Sequence, residues 1–497
     1  MASGSVPGAT DVLCGVDIGT THIKVALVTL SGAMLSVAKA DTPVTTDGYG
    51  PCHDPDEVRA TAEQVMRQAQ QEAGVRAQIA AIGVTSVGEE GVPLGPRDEL
   101  LYPAIAWYER RPSDEERSWS AGHEADELFS VTGLHKDLGF TIFKWLWLKS
   151  AQPSVWSRCR TWLGLADYVT WRWTGQRGMS VSHASRTAMF DLAKFQWRED
   201  WAAQVLAHGA DVLPPLHEAG TTVGMLRPGV IPGLVIADEV PVVATGLDHL
   251  VGAYAAGVTR PGQVLDSMGT AEALIEPVPP SYLENAHPSM GMDFGAGILP
   301  GTHIAIAGLA SGAGVAGMLK ALGAGSPPEQ RRLESAAMAL GPGPDGLIYV
   351  PPRIRNEAPG ALLGHKVSHG AVELYRAVVE GWALAADNAM QELGNRDRLQ
   401  DVVCIGGGSN SALWVRVKAS LLGREVYCLR TPEIVAVGAA LLAGQAPEGP
   451  GPVTDWNPST SVISPIPEWV PCYRSLSQDF MRAASRIHPD ACPRVYP

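Results

Sequence analysis

Asp17-Ile18-Gly19-Thr20-Thr21, with Lys24 three residues on, is the first stretch whose residue types point to chemistry. Gly19 admits a sharp turn and lets backbone approach a ligand closely. Thr20 and Thr21 set hydroxyls beside free turn N–H groups, Lys24 adds positive charge, and such a turn can hold a phosphate. Asp17 stands at a strand end, where a carboxylate can hold hydrated Mg²⁺. Taken alone, the stretch also suits an ordinary hairpin with a polar turn. The theme returns at Ser267-Met268-Gly269-Thr270, a second phosphate-type hairpin. Further on, Gly406-Gly407-Gly408-Ser409-Asn410 places three glycines between a strand-like and a helix-like run, permitting close approach to a flat or anionic ligand. The order is wrong for the GxGxxG dinucleotide fingerprint, and no stretch gives a GxxxxGK[ST] P-loop.

Two further groups carry chemistry. Glu89 and Glu90 follow a strand-like run, and Trp107 ends the irregular stretch beyond them. Carboxylates accept hydrogen bonds from hydroxyls and an indole covers a C–H face, so the three suit a polyhydroxylated molecule. Asp248 opens a small-residue helix after the buried run 240–246. It reads either as a helix cap, worth roughly 1 kcal/mol, or as an acid facing whatever lies beyond the strand.

The elements that must position these residues are legible. Val12, Leu13 and Val16 suit a buried strand, and Ile23, Val25 and Leu27 its hairpin partner. Residues 54–72 predict a helix, capped by Asp54, with Val58, Ala62, Val65, Met66 and Ala69 on one face. A strand over 79–86 follows, then an irregular stretch over 87–111. Residues 112–220 read as mostly helical, including 143–148 and 162–169. Beyond the second hairpin come a small-residue helix from Ser311, a long helix over 371–393, a strand over 402–405, a helix over 411–422, an apolar helix over 433–443 and a short terminal helix over 480–488. Strands alternating with helices indicate α/β layers, and the two hairpins suggest two related halves.

Composition bounds the function. A chain of 497 residues suggests two domains. The net charge of −14 argues against nucleic acid or an anionic membrane as partner. No basic segment followed by an apolar core marks a signal peptide at the N-terminus. The most membrane-like run, 304–319, is short and Gly-rich and suits a buried helix better than a span. Seven scattered cysteines, Cys492 the last, show no zinc or redox spacing and read as reduced thiols of a cytoplasmic protein.

In this order and spacing the blocks 15–21, 103–107, 246–257, 267–270 and 406–423 resemble the FGGY carbohydrate kinases, of the sugar-kinase, actin and heat-shock ATPase fold, over about residues 12–445. The resemblance implies an α/β chain of two actin-like (ribonuclease H-like) domains with a central cleft: residues 1–258 binding sugar and residues 259–497 binding ATP. It implies that Asp248 is the catalytic base and Asp17 the Mg²⁺-associated acid. Thr20, Thr21, Lys24, Gly269 and Thr270 would contact the phosphates, with Gly312, Gly407, Gly408, Ser409 and Asn410 around the nucleotide. Glu89, Glu90, Trp107, Asp248 and His249 would meet the acceptor. The partners implied are ATP and a small sugar or polyol, and a homodimer is compatible with them.

Departures bear on the substrate. Glycerol kinases have Arg-Glu after the strand ending near Ser86, where this chain has Gly88-Glu89; xylulokinases have Met-His there. Gly88-Glu89-Glu90-Gly91 is similar to the Gly-x-Asp-Gly of fuculokinases. His249 follows the catalytic acid, where glycerol kinases have Gln and xylulokinases usually Asn. The Trp-x-Asp-x-Arg of many members reads Trp107-Tyr108-Glu109-Arg110-Arg111. Glycerol and ordinary xylulose are therefore disfavoured; the acceptor is expected to be a ketose, aldose or polyol of similar size, with a ketopentose or ketohexose as the leading class. A non-catalytic sugar- or nucleotide-binding regulator of the same fold, or an actin-fold ATPase acting on a protein, are the competing readings.

Overall fold

The computed structural model describes residues 10–74, 77–109, 111, 114, 117, 119, 125–288, 290–353, 359–394 and 399–488. Arg110 and Cys492 lie outside the described residues. The chain forms two compact units. The first takes residues 1–257, 295–303 and 432–457; the second takes 258–294, 304–431 and 458–497.

The first unit is built on a six-stranded sheet. Its strands are β1 (Thr10–Ile18), β2 (His22–Thr29), β3 (Met34–Asp41), β4 (Ala77–Ser86), β5 (Thr221–Met225) and β6 (Pro241–Leu247), in the order β5-β6-β4-β1-β2-β3. β1, β2 and β3 form an antiparallel meander; β4 runs parallel to β1 and β6 parallel to β4, while edge strand β5 is antiparallel. Helix α1 (Pro55–Ala73) connects β3 to β4, as such a parallel crossover requires. Asp54 caps it through Oδ1, accepting from the N–H groups of Asp56 and Glu57. The five apolar residues expected on its inner face are all fully buried against the sheet.

The second unit repeats this plan. Its strands are β7 (Gln263–Met268), β8 (Glu272–Val278), β9 (Asp293–Ala296), β10 (His303–Leu309), β11 (Asp401–Ile405), β12 (Val426–Leu429) and β13 (Thr460–Ile463), ordered β9-β10-β8-β7-β11-β12-β13. Again an antiparallel hairpin, β7–β8, is followed by two parallel neighbours and an antiparallel edge. The two related halves expected from the two hairpins are thus present as one pairing pattern used twice.

Some expectations are corrected. Residues 162–169 are not one helix: Thr161–Gly164 is a strand paired with Gly91–Leu94, and a helix begins at Leu165. The Gly164 N–H donates to the Asp167 carboxylate, which caps the helix there. The stretch 87–111 therefore contains short strands, Gly91–Leu94 and Ala104–Ile105. The run 304–319 divides into β10 and a helix, α2 (Ser311–Ala321), of which only Ser311 and Val315 are buried, so it is no buried helix. Among the described residues no helix is long and apolar enough to cross a membrane. The terminal helix spans Trp469–Ile487 rather than its last turns alone, because Pro471 falls in the first turn, where a missing N–H is harmless. Cys14, Cys52, Cys159, Cys404 and Cys428 are buried free thiols and Cys472 is exposed.

Two helices complete the plan. α3 (Ala412–Leu422) follows β11, and the apolar helix α4 (Ile434–Gly444) belongs to the first unit, buried on all sides. α4 packs on β1 and β4 through glycines. A Cβ on Gly15 would stand 1.8 Å from Ala436 O, and one on Gly83 would stand 2.1 Å from Ala439 O.

In the second unit Lys418 of α3 bonds the carboxylates of Asp266 and Glu272, all three fully buried. Burial pushes the Asp266 acid up, against the pull of Lys418. Lys418→Met leaves two carboxylates without their cation and is expected to cost roughly 3–5 kcal/mol in urea unfolding. A loss below about 1 kcal/mol would show that the triad contributes little.

Candidate active site

Register places the chemistry. Ile18 pairs with Ser86 and Ser86 with Leu247, so the ends of β1, β4 and β6 align along one edge of the first sheet. The residues that follow them, Gly19-Thr20-Thr21, Gly88-Glu89-Glu90 and Asp248-His249, share that edge. Ligands of open α/β sheets bind beyond the carboxyl ends of the strands.

Asp17 is 2 % exposed. Its Oδ2 accepts from Lys24 Nζ at 3.2 Å, while Oδ1 has no hydrogen-bond partner among the described residues. Burial pushes its carboxyl up to about 6; Lys24 works against this, and the charges of Asp248 and Glu433 add to it. Two further acids therefore bear on Asp17 at this edge. Glu433, which precedes α4, was not singled out from the sequence, and its Oε2 lies 3.4 Å from Lys24.

The turn after β1 is tied in place. Thr42 Oγ1 donates to Gly19 O at 2.7 Å, and the Thr42 N–H donates to Thr21 O at 2.9 Å. Thr20 Oγ1 accepts from Trp107 Nε1 at 2.9 Å, so the indole expected at the acceptor side is fixed to the phosphate-type turn. The Trp107 N–H donates to Glu90 Oε1 at 2.9 Å, and Glu90 Oε2 lies 2.7 Å from His53 Nδ1. Burial works against charging His53, but Glu90 outweighs it and holds the imidazole pKa above its ordinary value. Both oxygens of Glu90 are thus engaged inside the protein, and its carboxylate orients Trp107.

Glu89 differs. It takes a left-handed backbone, φ 64°, its carbonyl accepts from Lys144 Nζ at 2.9 Å, and its Oε1 accepts from Arg186 Nε at 2.8 Å. Burial lowers the Lys144 pKa to about 8. His183 braces the same loop through Nε2, 3.1 Å from Ser86 O, with Nδ1 3.1 Å from Ser180 Oγ. A small cavity of about 10 Å³ is lined by Ser86, Glu89, Glu90 and His183 among others, with room for roughly one water.

Asp248 is the first residue of the helix Asp248–Ala255 and is half-buried. The His249 N–H donates to its Oδ1 at 2.7 Å, and no cap bond comes from a side chain at Leu247. Gly246, at φ 106°, lies at an irregularity near the end of β6; a Cβ there would lie 2.5 Å from Ser182 Oγ, which also accepts from the Leu247 N–H. His249 is half-buried beside Asp248.

The second unit gathers the other expected residues. Ser267 pairs with Ile405, so the turns after β7 and β11 share an edge. A Cβ on Gly312 would meet Gly269 O at 2.0 Å, and the Ala313 N–H donates to Thr270 O at 2.9 Å, so α2 begins directly on the hairpin turn. Gly406 and Gly408 pack on Met268, whereas Gly407 faces open space. Ser409 is buried, its hydroxyl bonded to Gly406 O, and exposed Asn410 accepts from Arg430 Nη1 at 3.0 Å. Thr270 is exposed.

Sequence reasoning missed His53, Lys144, His183, Arg186 and Glu433. The segment 180–187, which braces the acceptor loop, has no periodicity to announce it, and Glu433 reads as the polar start of an apolar helix.

Comparison with known proteins bears on the identity. The family profile described as the FGGY family of carbohydrate kinases, N-terminal domain, matches residues 12–255, and that of the C-terminal domain matches residues 329–446. The chain is 26 % identical to the xylulose kinase of Bacillus subtilis over 444 residues, 86 % of this chain and 87 % of that protein. It is 27 % identical to the L-fuculokinase of Escherichia coli over 446 residues, 87 % and 91 % of the two. The crystal structure of xylulose kinase from Rhodospirillum rubrum superposes with a TM-score of 0.85 at 26 % identity, covering 96 % of this chain and 99 % of the other. The two repeated sheets are accordingly two actin-like domains, and the chain belongs to the FGGY family of carbohydrate kinases, phosphotransferases that use ATP and an alcohol acceptor.

Proposed function

We propose that this sugar kinase phosphorylates a ketopentose or ketohexose, with Asp248 as the base that takes the proton of the acceptor hydroxyl. The observation that supports the reading is the shared edge of β1, β4 and β6, with Asp17, Glu89 and Asp248 at or just beyond the strand ends. Phosphoryl transfer needs charge neutralisation, alignment and one base. His249 N–H holds one oxygen of Asp248 and leaves the other to meet the acceptor. Glu89, steadied by Arg186, accepts from sugar hydroxyls; Glu90 serves by holding Trp107 against Thr20; His249 contributes to selection. Similarity to xylulose kinases and fuculokinases supports a small sugar.

In the same reading Thr20, Thr21, Lys24, Gly269 and Thr270 are the phosphate contacts, with Gly312, Gly407, Gly408, Ser409 and Asn410 around the nucleotide. Residues 1–258 carry the sugar and residues 259–497 the nucleotide. The orphaned Oδ1 of Asp17 suits a hard cation. Among the described residues no group of three or more His, Cys, Asp or Glu is set to hold a metal, so Asp17 would hold Mg²⁺ as a single carboxylate. Bound there, Mg²⁺ would supply positive charge at the phosphoryl group. We place the protein in the cytoplasm, acting on small molecules without nucleic acid or membrane as partner; a homodimer is compatible with this.

ADP release measured across ketopentoses, ketohexoses, aldonates and tetritols tests the substrate class. The expected result is turnover with a ketose; turnover confined to aldonates or tetritols contradicts it. Glu89→Gln is expected to lower kcat/KM for the sugar about tenfold or more, through loss of charged hydrogen bonds, with KM for ATP unchanged. Unchanged sugar kinetics in both Glu89→Gln and His249→Ala would remove these residues from the acceptor site.

A further inference from the structure

Lys24 stands between two carboxylates. Its ammonium stands 3.2 Å from Asp17 Oδ2 and 3.4 Å from Glu433 Oε2, and Glu433 Oε1 lies 3.7 Å from Lys39. One cation is shared by two carboxylates, and the deeper of these, Asp17, keeps its other oxygen unpartnered among the described residues. Glu433 also occupies a left-handed backbone, φ 47° and ψ 48°, immediately before α4. A non-glycine residue is disfavoured there and persists only where its surroundings fix it. Here they do: the close packing of α4 on Gly15 and Gly83 sets where the helix starts. The fold thus holds a carboxylate over Lys24 against local backbone preference.

We propose that Glu433 is a positioning residue that takes up the Lys24 ammonium when Asp17 turns to a divalent cation. The proposal rests on the reading of Asp17 given above. Lys24 and a divalent cation both seek the same buried carboxylate, and two cations on one acid repel each other. With Glu433 already at contact distance, Lys24 yields Asp17 without losing its counter-charge. Without Glu433, Lys24 has Asp17 alone and competes with the metal. Glu433 acts through Lys24 and not as a ligand, and this separates the proposal from a merely acidic neighbourhood.

The test is Mn²⁺ binding to the nucleotide-free full chain, read from the electron paramagnetic resonance signal of free Mn²⁺, with thermal melting recorded for each variant. Glu433→Gln is expected to weaken binding about tenfold and Lys24→Met to tighten it. In the Lys24→Met background, Glu433→Gln is expected to change affinity by no more than about twofold, the signature of two coupled residues. Glu433→Asp, which keeps the charge, should stay within about threefold of the wild type. Unchanged affinity in Glu433→Gln overturns the proposal. So does an equal loss in both backgrounds, which would make Glu433 a direct contributor to the metal or a structural prop. So does absence of binding in Lys24→Met. Asp17→Asn separates the two levels: if it binds Mn²⁺ as the wild type does, the reading of Asp17 itself fails, whatever Glu433 does.

Discussion

Asp248→Asn is expected to lower kcat about a thousandfold, the scale of a general base in proton transfer, while ADP affinity stays within about twofold of the wild type. The amide keeps the shape of the side chain and can still accept from the His249 N–H, so the start of the helix survives. What it loses is the ability to take a proton from the acceptor hydroxyl. A fall in kcat/KM for sugar without a fall in kcat would instead assign Asp248 to binding alone. Wild-type turnover would remove it from the chemistry.

The second large effect is on stability. Gly15→Ala is expected to cost roughly 3 kcal/mol, the upper part of the range for overpacking, because the added methyl would stand 1.8 Å from Ala436 O and 2.5 Å from Ala440 N. Both are backbone atoms of a helix packed directly on the face of β1 and β4, so no side-chain rotation relieves the clash. α4 would have to lift, and Glu433 would lift with it. Urea unfolding checks this; a variant within about 1 kcal/mol of the wild type would contradict the packing of α4 on β1. At such a position overpacking outweighs the few tenths of a kcal/mol usually gained when Gly becomes Ala.

Much of this was legible in the sequence, and the reasons differ by residue. The β1–β2 hairpin and α1 follow from local pattern alone: alternating apolar residues, a capping aspartate and a spaced helical face. The second hairpin announced the repeat because Gly-Thr recurs at the end of a similar strand. Edge strands such as β5 and β13 did not show, since half-exposed residues leave weak alternation. Trp162 and Leu163 looked helical because an apolar run has no period of its own; only pairing with Gly91–Leu94 decides for a strand.

The candidate site divides in the same way. Asp17, Asp248 and the glycine turns are visible because each ends a buried strand. The supporting side chains are not, because they come from remote segments: His53 precedes α1, Arg186 lies in a single 3-10 turn, and Glu433 precedes a helix that rejoins the first unit after six of the seven strands of the second sheet. Glu90 shows what register adds. From sequence it stands beside Glu89 as an equal acid; in the structure the two point to different tasks, Glu89 to the loop with Arg186 and Glu90 inward to His53 and the Trp107 N–H.

The central claim, that one carboxylate at the shared strand edge receives the acceptor's proton, is tested most directly by a crystal structure with the turned-over sugar and a non-hydrolysable ATP analogue. The account predicts the phosphorylated hydroxyl oxygen within about 3.2 Å of the free Asp248 oxygen, the reach of a general base. A bound sugar whose reacting hydroxyl meets another carboxylate, with Asp248 more than about 5 Å away and no bridging water, would contradict it.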